Sequence, residues 1–277
     1  MFAGATHASR PPSGSAGSQD AHRQTTFVLA EQTDLVLAGL ELESAIAEGA
    51  SGGKTRNQLV ASSLAFWSRS WLARLDALHA IEWGNYVAAM ALIRSAADFH
   101  AACLAMLAGG VEEWNEWLAE PGIALAPAHH ALEFQLHAFR SAEGLMGTPE
   151  LGAVYRIATD LSLPHFGATI LAVASESDPS RVAVTFGDRD FHLGWAELGT
   201  GLLQRLGAVA LAAAVANARA FAFDDPSAAS MLESRLRTAA VDSRRCRAEH
   251  VEIDGTPRLI IHDWRRHPGG SAQRILL

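Results

Sequence analysis

The chain has 277 residues, of which 49% are hydrophobic and 19% charged. That is enough for a self-standing core, and too apolar and too weakly charged for disorder throughout. A formal net charge of −8 excludes a global electrostatic attraction to nucleic acid. The two cysteines, Cys103 and Cys246, form no CxxC pair, which excludes a disulfide framework and a cysteine-based zinc module; a reduced cytosol is the expected compartment.

In chain order, residues 1–26 are rich in Ser, Gly, Ala and Pro without periodicity, and 1–32 is expected to be a disordered N-terminal tail. From about residue 33 the period becomes helical, with Thr33-Asp34 as the expected N-cap. A long helix follows over about 54–82, with Trp67, Trp71, Leu75 and Leu78 on one apolar face. Another runs over about 85–108 and stops at Gly109-Gly110. A short helix over 111–119, one over 128–145 and one over about 149–162 come next. Val182–Phe186 is β-branched, and with Phe191–Leu193 it predicts either a small hairpin or a loop. The final long helix covers about 195–223, and a short one about 226–240. In the last segment, Asp254-Gly255 between two strand-like runs predicts a hairpin. The fold class is therefore all-α: a helical bundle over 33–225 and a basic, β-hairpin-containing C-terminal extension over 226–277. No stretch reaches 18 clean apolar residues, and the N-terminus lacks a signal-peptide pattern, so no membrane association is expected.

Charge is unevenly spread. Residues 235–277 hold nine Arg against five acids, a local balance of +4 on a remainder of −12. Such a segment can bind RNA or anionic lipid, or fold back on the acidic body. The chain has one Lys, Lys54, against twenty-one Arg, and 53 Ala, the bias of a GC-rich bacterial genome.

Arg94, Asp98 and His100 stand out on the apolar helix over 85–108, because polar groups in such a setting need partners. Arg94 and Asp98 are four residues apart and can share a face as an internal ion pair, or leave the arginine for a carboxylate or phosphate. Arg94-Ser95-Ala96-Ala97-Asp98-Phe99-His100 fits Arg-x5-His. In this the chain resembles the HEPN superfamily, whose signature is an Arg and a His separated by four to six residues. The text around it, together with Tyr155-Arg156 and the following run to His165, is similar to a group of helical bacterial proteins over about 55–223. The resemblance implies a dimeric bundle protein that acts on RNA or a nucleotide as a metal-independent ribonuclease without a cofactor. Arg94, His100 and His165 would be catalytic, and Asp98, Tyr155 and Arg156 would bind substrate. In that chemistry a His moves a 2′-OH proton while an Arg holds the phosphorane charge. On a regular helix Arg94 and His100 stand about 120° apart, which makes His165 the better partner for Arg94.

Two further patterns carry other readings. His130, Glu133 and His137 share a helix face and could contribute ligands to a metal, with Asp76, His79 and Glu82 on a second helix; this is the metal-dependent bundle enzyme. Trp67, Trp71, Trp83, Trp114 and Trp117 suit a core or a dimer interface, and a homodimer is expected. The sequence lacks G-x-G-x-x-G, Walker A and H-E-x-x-H motifs. A non-catalytic interaction or scaffolding protein is the alternative to the ribonuclease.

Overall fold

The computed structural model describes residues 18–51, 58–109, 141–174, 177 and 180–277. Among the described residues the chain forms nine helices followed by one three-stranded antiparallel sheet. The helices are α1 (Gln19–Val28), α2 (Ala30–Ser51), α3 (Gln58–Glu82), α4 (Tyr86–Leu107), α5 (Ser141–Gly147), α6 (Pro149–Ser162), α7 (Phe166–Val173), α8 (Leu193–Ala216) and α9 (Ser227–Ala240). The strands are β1 (Arg247–Ile253), β2 (Thr256–Trp264) and β3 (Gln273–Leu276). The helical bundle with a β extension is thus what the periodicity predicts.

The expected tail ends earlier than residue 32. Ser18 caps α1, its Oγ accepting from the Ala21 N–H at 3.2 Å, and only Ala21 and Thr25 of that helix are buried. A helix that docks through two small residues leaves no apolar stripe in the sequence. Thr33 is not an N-cap either: it lies inside α2, where its hydroxyl donates back to the Leu29 and Ala30 carbonyls at 3.1 Å each. The segment before His192 is a loop and not a hairpin. The helices expected at 111–119 and over most of 128–145 lie outside the described residues.

The core forms where α3, α4, α6 and α8 meet, through Leu78, Ile81, Met90, Ile93, Ile157 and Leu203. A second apolar cluster at the far end joins Ile46, Trp67, Leu211, Phe221 and Leu236. Both α4 and α8 are long and apolar enough to cross a membrane, with mean hydropathy 1.3 and 1.5, but half or more of each apolar window is buried inside the protein, as in a bundle's central helices. Trp67, Trp71 and Trp83 are buried within the chain, so none of them offers the exposed face on which the dimer expectation rested; Trp114 and Trp117 lie outside the described residues.

The C-terminal extension packs on the bundle. Asp254 and Gly255 both have positive φ, 51° and 73°, which is the two-residue I′ turn that the Asp-Gly pair predicts. β2 then delivers Trp264 edge-on against Trp195 of α8, ring centroids 5.4 Å apart. Gly194 is required there, because a Cβ would come within 2.6 Å of the Trp264 ring. The first turn of α8 has N–H groups with no intrahelical acceptor; Leu193 and Gly194 donate theirs to the Arg266 and Arg265 carbonyls at 2.9 and 2.8 Å. His250 on β1 reaches Asp160 of α6 at 2.7 Å. Several extension arginines are paired, Arg237 with Glu150 and Glu233, Arg247 with Asp263 at 3.1 Å, and Arg266 with Asp188 at 3.4 Å. Much of the basic segment therefore neutralises acidic groups of the same chain.

Candidate functional site

Arg94 sits half-buried on α4, opposite Tyr155 of α6. Its guanidinium carbon lies 5.6 Å from the Tyr155 ring centroid, and Nη2 donates to the Tyr155 hydroxyl at 3.5 Å. That hydroxyl holds the Arg94 pKa above its ordinary value; burial works the other way, and Asp98 one turn later adds to the rise through space. The two do not form the direct ion pair that their spacing permits. The Arg94 Nε is buried and makes no hydrogen bond. Among the described residues, Arg94 is thus a cation with donor groups left over, beside an aromatic hydroxyl. Arg156, next to Tyr155, is exposed.

The structure places the two expected histidines differently. His100 is in the core at 2% exposure, on a different side of α4 from Arg94, as the helical angle requires. Neither ring nitrogen has a hydrogen-bond partner. Burial, with Arg74 as a further cause, pushes its pKa down to about 3, so His100 is neutral and out of reach of a ligand at the Arg94 face. His165 is the N-cap of α7, its Nδ1 accepting from the Ala168 N–H at 3.3 Å. A nitrogen used as an acceptor carries no proton, so the tautomer is Nε2–H. No hydrogen bond or ion pair joins His165 to Arg94.

His100 gives the bundle an acid sensitivity whose sign is fixed by its environment. Its folded pKa lies below the ordinary 6.5, so the unfolded chain takes up the proton first, and the stabilisation present above about pH 6.5 is lost as the pH falls towards 3. Between pH 6.5 and 5 the loss from this group is about 2 kcal/mol, at about 1.36 kcal/mol per pH unit for one proton. His100→Leu should remove that slope and be at least as stable as wild type at pH 7, since it replaces an unpartnered polar group. Urea titrations of both proteins at pH 7 and pH 5 check this; parallel losses in the two proteins contradict it.

Of the expected metal ligands, only those on α3 are described. His130, Glu133 and His137 lie outside the described residues. On α3, Asp76 is exposed, His79 half-buried and Glu82 fully buried, so the three do not converge. Among the described residues no three His, Cys, Asp or Glu side chains are placed to hold a metal ion.

Two polar clusters escape sequence reasoning. In the middle of the bundle, the Glu43 carboxylate of α2 accepts from Trp67 Nε1 at 2.7 Å, from Arg74 Nη1 at 2.7 Å, and from Arg74 Nη2. Ser70, one turn before Arg74, donates to the Ala96 carbonyl of α4 at 2.9 Å. The signal was the same one that singled out Arg94, a charge on an apolar helix, and Arg74 is the charge that is buried. At one end of the bundle, His192 Nε2 lies 3.2 Å from Asp188 Oδ2, and Arg266 approaches both. The Tyr86 hydroxyl accepts from the His192 backbone N–H at 3.0 Å. Burial pushes the Tyr86 pKa up to about 12, so the phenol stays protonated.

By fold and site the chain is a helical bundle with a docked β extension and a partly exposed Arg–Tyr pair on two of its core helices. Compared with protein-family models, with curated proteins and with solved structures, it matches none.

Proposed function

We propose that the protein binds the phosphate of an RNA strand or nucleotide through Arg94 and Tyr155, with Asp98 and Arg156 flanking the site. The observation that carries this reading is the Arg94 guanidinium: half-buried, without a direct carboxylate partner among the described residues, its Nε making no bond. A partly desolvated arginine with unused donors is suited to a phosphate, which it can grip through two parallel hydrogen bonds. The reading is binding and not cleavage. Cleavage without a metal needs an imidazole beside the 2′-OH, whereas His100 is in the core and His165 is engaged at a helix end.

The experiment is fluorescence anisotropy of a labelled single-stranded RNA and of a labelled nucleotide, in EDTA, with gel analysis of the RNA afterwards. Binding by wild type, weakened about tenfold or more by Arg94→Ala, is expected from the loss of a charge-assisted bond. His165→Ala should bind as wild type, and the RNA should stay intact. Unchanged affinity in a folded Arg94→Ala protein sinks the reading, and cleavage lost in both variants would restore the ribonuclease.

The non-catalytic interaction protein is favoured by a different feature. Val182, Val184 and Phe186 are exposed together on the loop before His192, a place where apolar side chains gain nothing from the chain's own fold.

A further inference from the structure

The loop between α7 and α8 contains Val182-Ala183-Val184-Thr185-Phe186. Its main chain is engaged on one side only. The Ala183 N–H donates to the Ser177 hydroxyl at 3.0 Å, and that hydroxyl donates to the Ala183 carbonyl at 3.3 Å. The Thr185 N–H donates to the Val173 carbonyl of α7 at 2.7 Å. Among the described residues, Val182, Val184 and Phe186 make no main-chain hydrogen bond. Engagement of alternate residues is the pattern of an extended strand, in which the N–H and C=O of successive residues point to opposite edges. One edge here lies against Ser177 and α7, and the other faces water.

The three residues of the open edge also carry apolar side chains, 75%, 64% and 101% exposed for Val182, Val184 and Phe186. Such an edge is a template for another strand, and proteins that stay apart blunt it with a charge or a proline. Neither interrupts 182–186; charges begin outside, with Arg181 before and Asp188, Arg189 and Asp190 after.

The stretch fits itself. Set antiparallel about a two-fold axis at Val184, two copies bring Val184 opposite Val184 and Val182 opposite Phe186. The residues that then face across the join are those with open main-chain groups, so each pair exchanges both N–H···O=C bonds. Phe186 of one copy lies beside Val182 of the other, an aromatic and β-branched pair that favours a ladder, and no like charges stand opposite each other. The far edge of each strand is already taken by Ser177 and Val173, so pairing closes at two copies and does not run on into a fibre.

From the open edge and its self-complementary register we infer that this segment is a homodimer interface, formed by antiparallel pairing of Val182–Phe186 with the same segment of a second copy. The contact is small, so the dimer is weak and exchanges with monomer. A second strand suits the edge better than a lipid surface, because immersion in lipid leaves the main-chain groups of Val182 and Val184 without partners, whereas a strand satisfies them. The interface does not involve Arg94, and its test stands apart from RNA binding.

The test is sedimentation equilibrium of the full chain from low micromolar to near-millimolar concentration. The average mass should rise from 29.5 kDa towards twice that value. Val184→Pro removes a donor on the axis, and Val184→Lys sets two like charges opposite each other; each should weaken association about tenfold or more. An unchanged thermal midpoint shows that both variants are folded. Cysteine variants read the register. Val184→Cys should form a disulfide with its own copy under mild oxidation, since opposed residues of this ladder have Cα atoms about 5.5 Å apart. Val182→Cys, opposite Phe186, should crosslink at least tenfold more slowly. A wild type that stays monomeric throughout overturns the proposal, and if it then floats with vesicles of phosphatidylcholine and phosphatidylglycerol the segment belongs to a membrane instead. Undiminished association in either folded Val184 variant, equal crosslinking at 182 and 184, or growth beyond two copies also overturns it.

Discussion

Replacing Arg74 by alanine is expected to destabilise the protein by about 3–5 kcal/mol, the cost of leaving a buried charge without its partner. The Glu43 carboxylate and the Arg74 side chain are 0% and 2% exposed, and no water-facing conformation is open to the carboxylate while α2, α3 and α4 stay packed. Once the guanidinium is gone, Glu43 retains only the Trp67 indole as a side-chain donor among the described residues. It must then take up a proton or pull the helices apart. The double variant Glu43→Leu, Arg74→Met should recover most of the loss, because apolar residues of similar volume commonly replace a buried pair with little penalty. Urea unfolding of wild type, Arg74→Ala and the double variant measures both quantities. A loss below about 1 kcal/mol in Arg74→Ala would falsify the buried-pair account.

Trp264→Ala should cost about 3–5 kcal/mol, the range for truncating a large buried aromatic. The effect is expected to reach the bundle, since this side chain is where the sheet meets α8. Removing it vacates the face of Gly194 and the edge contact to Trp195. It also loosens the Arg265 and Arg266 carbonyls that terminate the first turn of α8. A thermal scan should therefore show one transition moved to lower temperature, in both helical signal and tryptophan fluorescence. If the sheet melts separately while the bundle keeps the wild-type midpoint, the extension is an appendage and not part of the cooperative unit.

What was legible in the sequence was local. The Asp254-Gly255 turn specifies its own geometry, so the hairpin could be read from two residues. Helices α3, α4 and α8 are long enough for periodicity to emerge; the expected bounds of α3 and α4 fall within four residues of the observed ones, whereas α8 ends at Ala216, seven residues short of 223. Helix α1 was hidden because it docks by Ala21 and Thr25 alone. Helix α7 spans only Phe166–Val173, too short for a pattern. The site was legible in part. Arg94 and Tyr155 do come together, but from the sequence Arg74 and Arg94 look alike, each an arginine on an apolar helix. Which of them faces the core depends on where α2 and α8 lie, and that is a property of the tertiary arrangement. The same holds for Asp188, His192 and Arg266, which are joined by a loop and a strand end that carry no periodicity.

That last cluster also bears on the order in which the chain can assemble. Helices α3 and α4 are joined by three residues, and a helical hairpin of this kind closes in microseconds with little loop entropy to overcome. The cap over their connecting turn is different. His192 must find the Tyr86 hydroxyl across 106 residues, and Arg266 must then find His192 across another 74. Contacts of such sequence separation slow folding and form late. The helices thus come together first as an open-ended stack, and the returning loop and strand close it only after the rest of the topology exists.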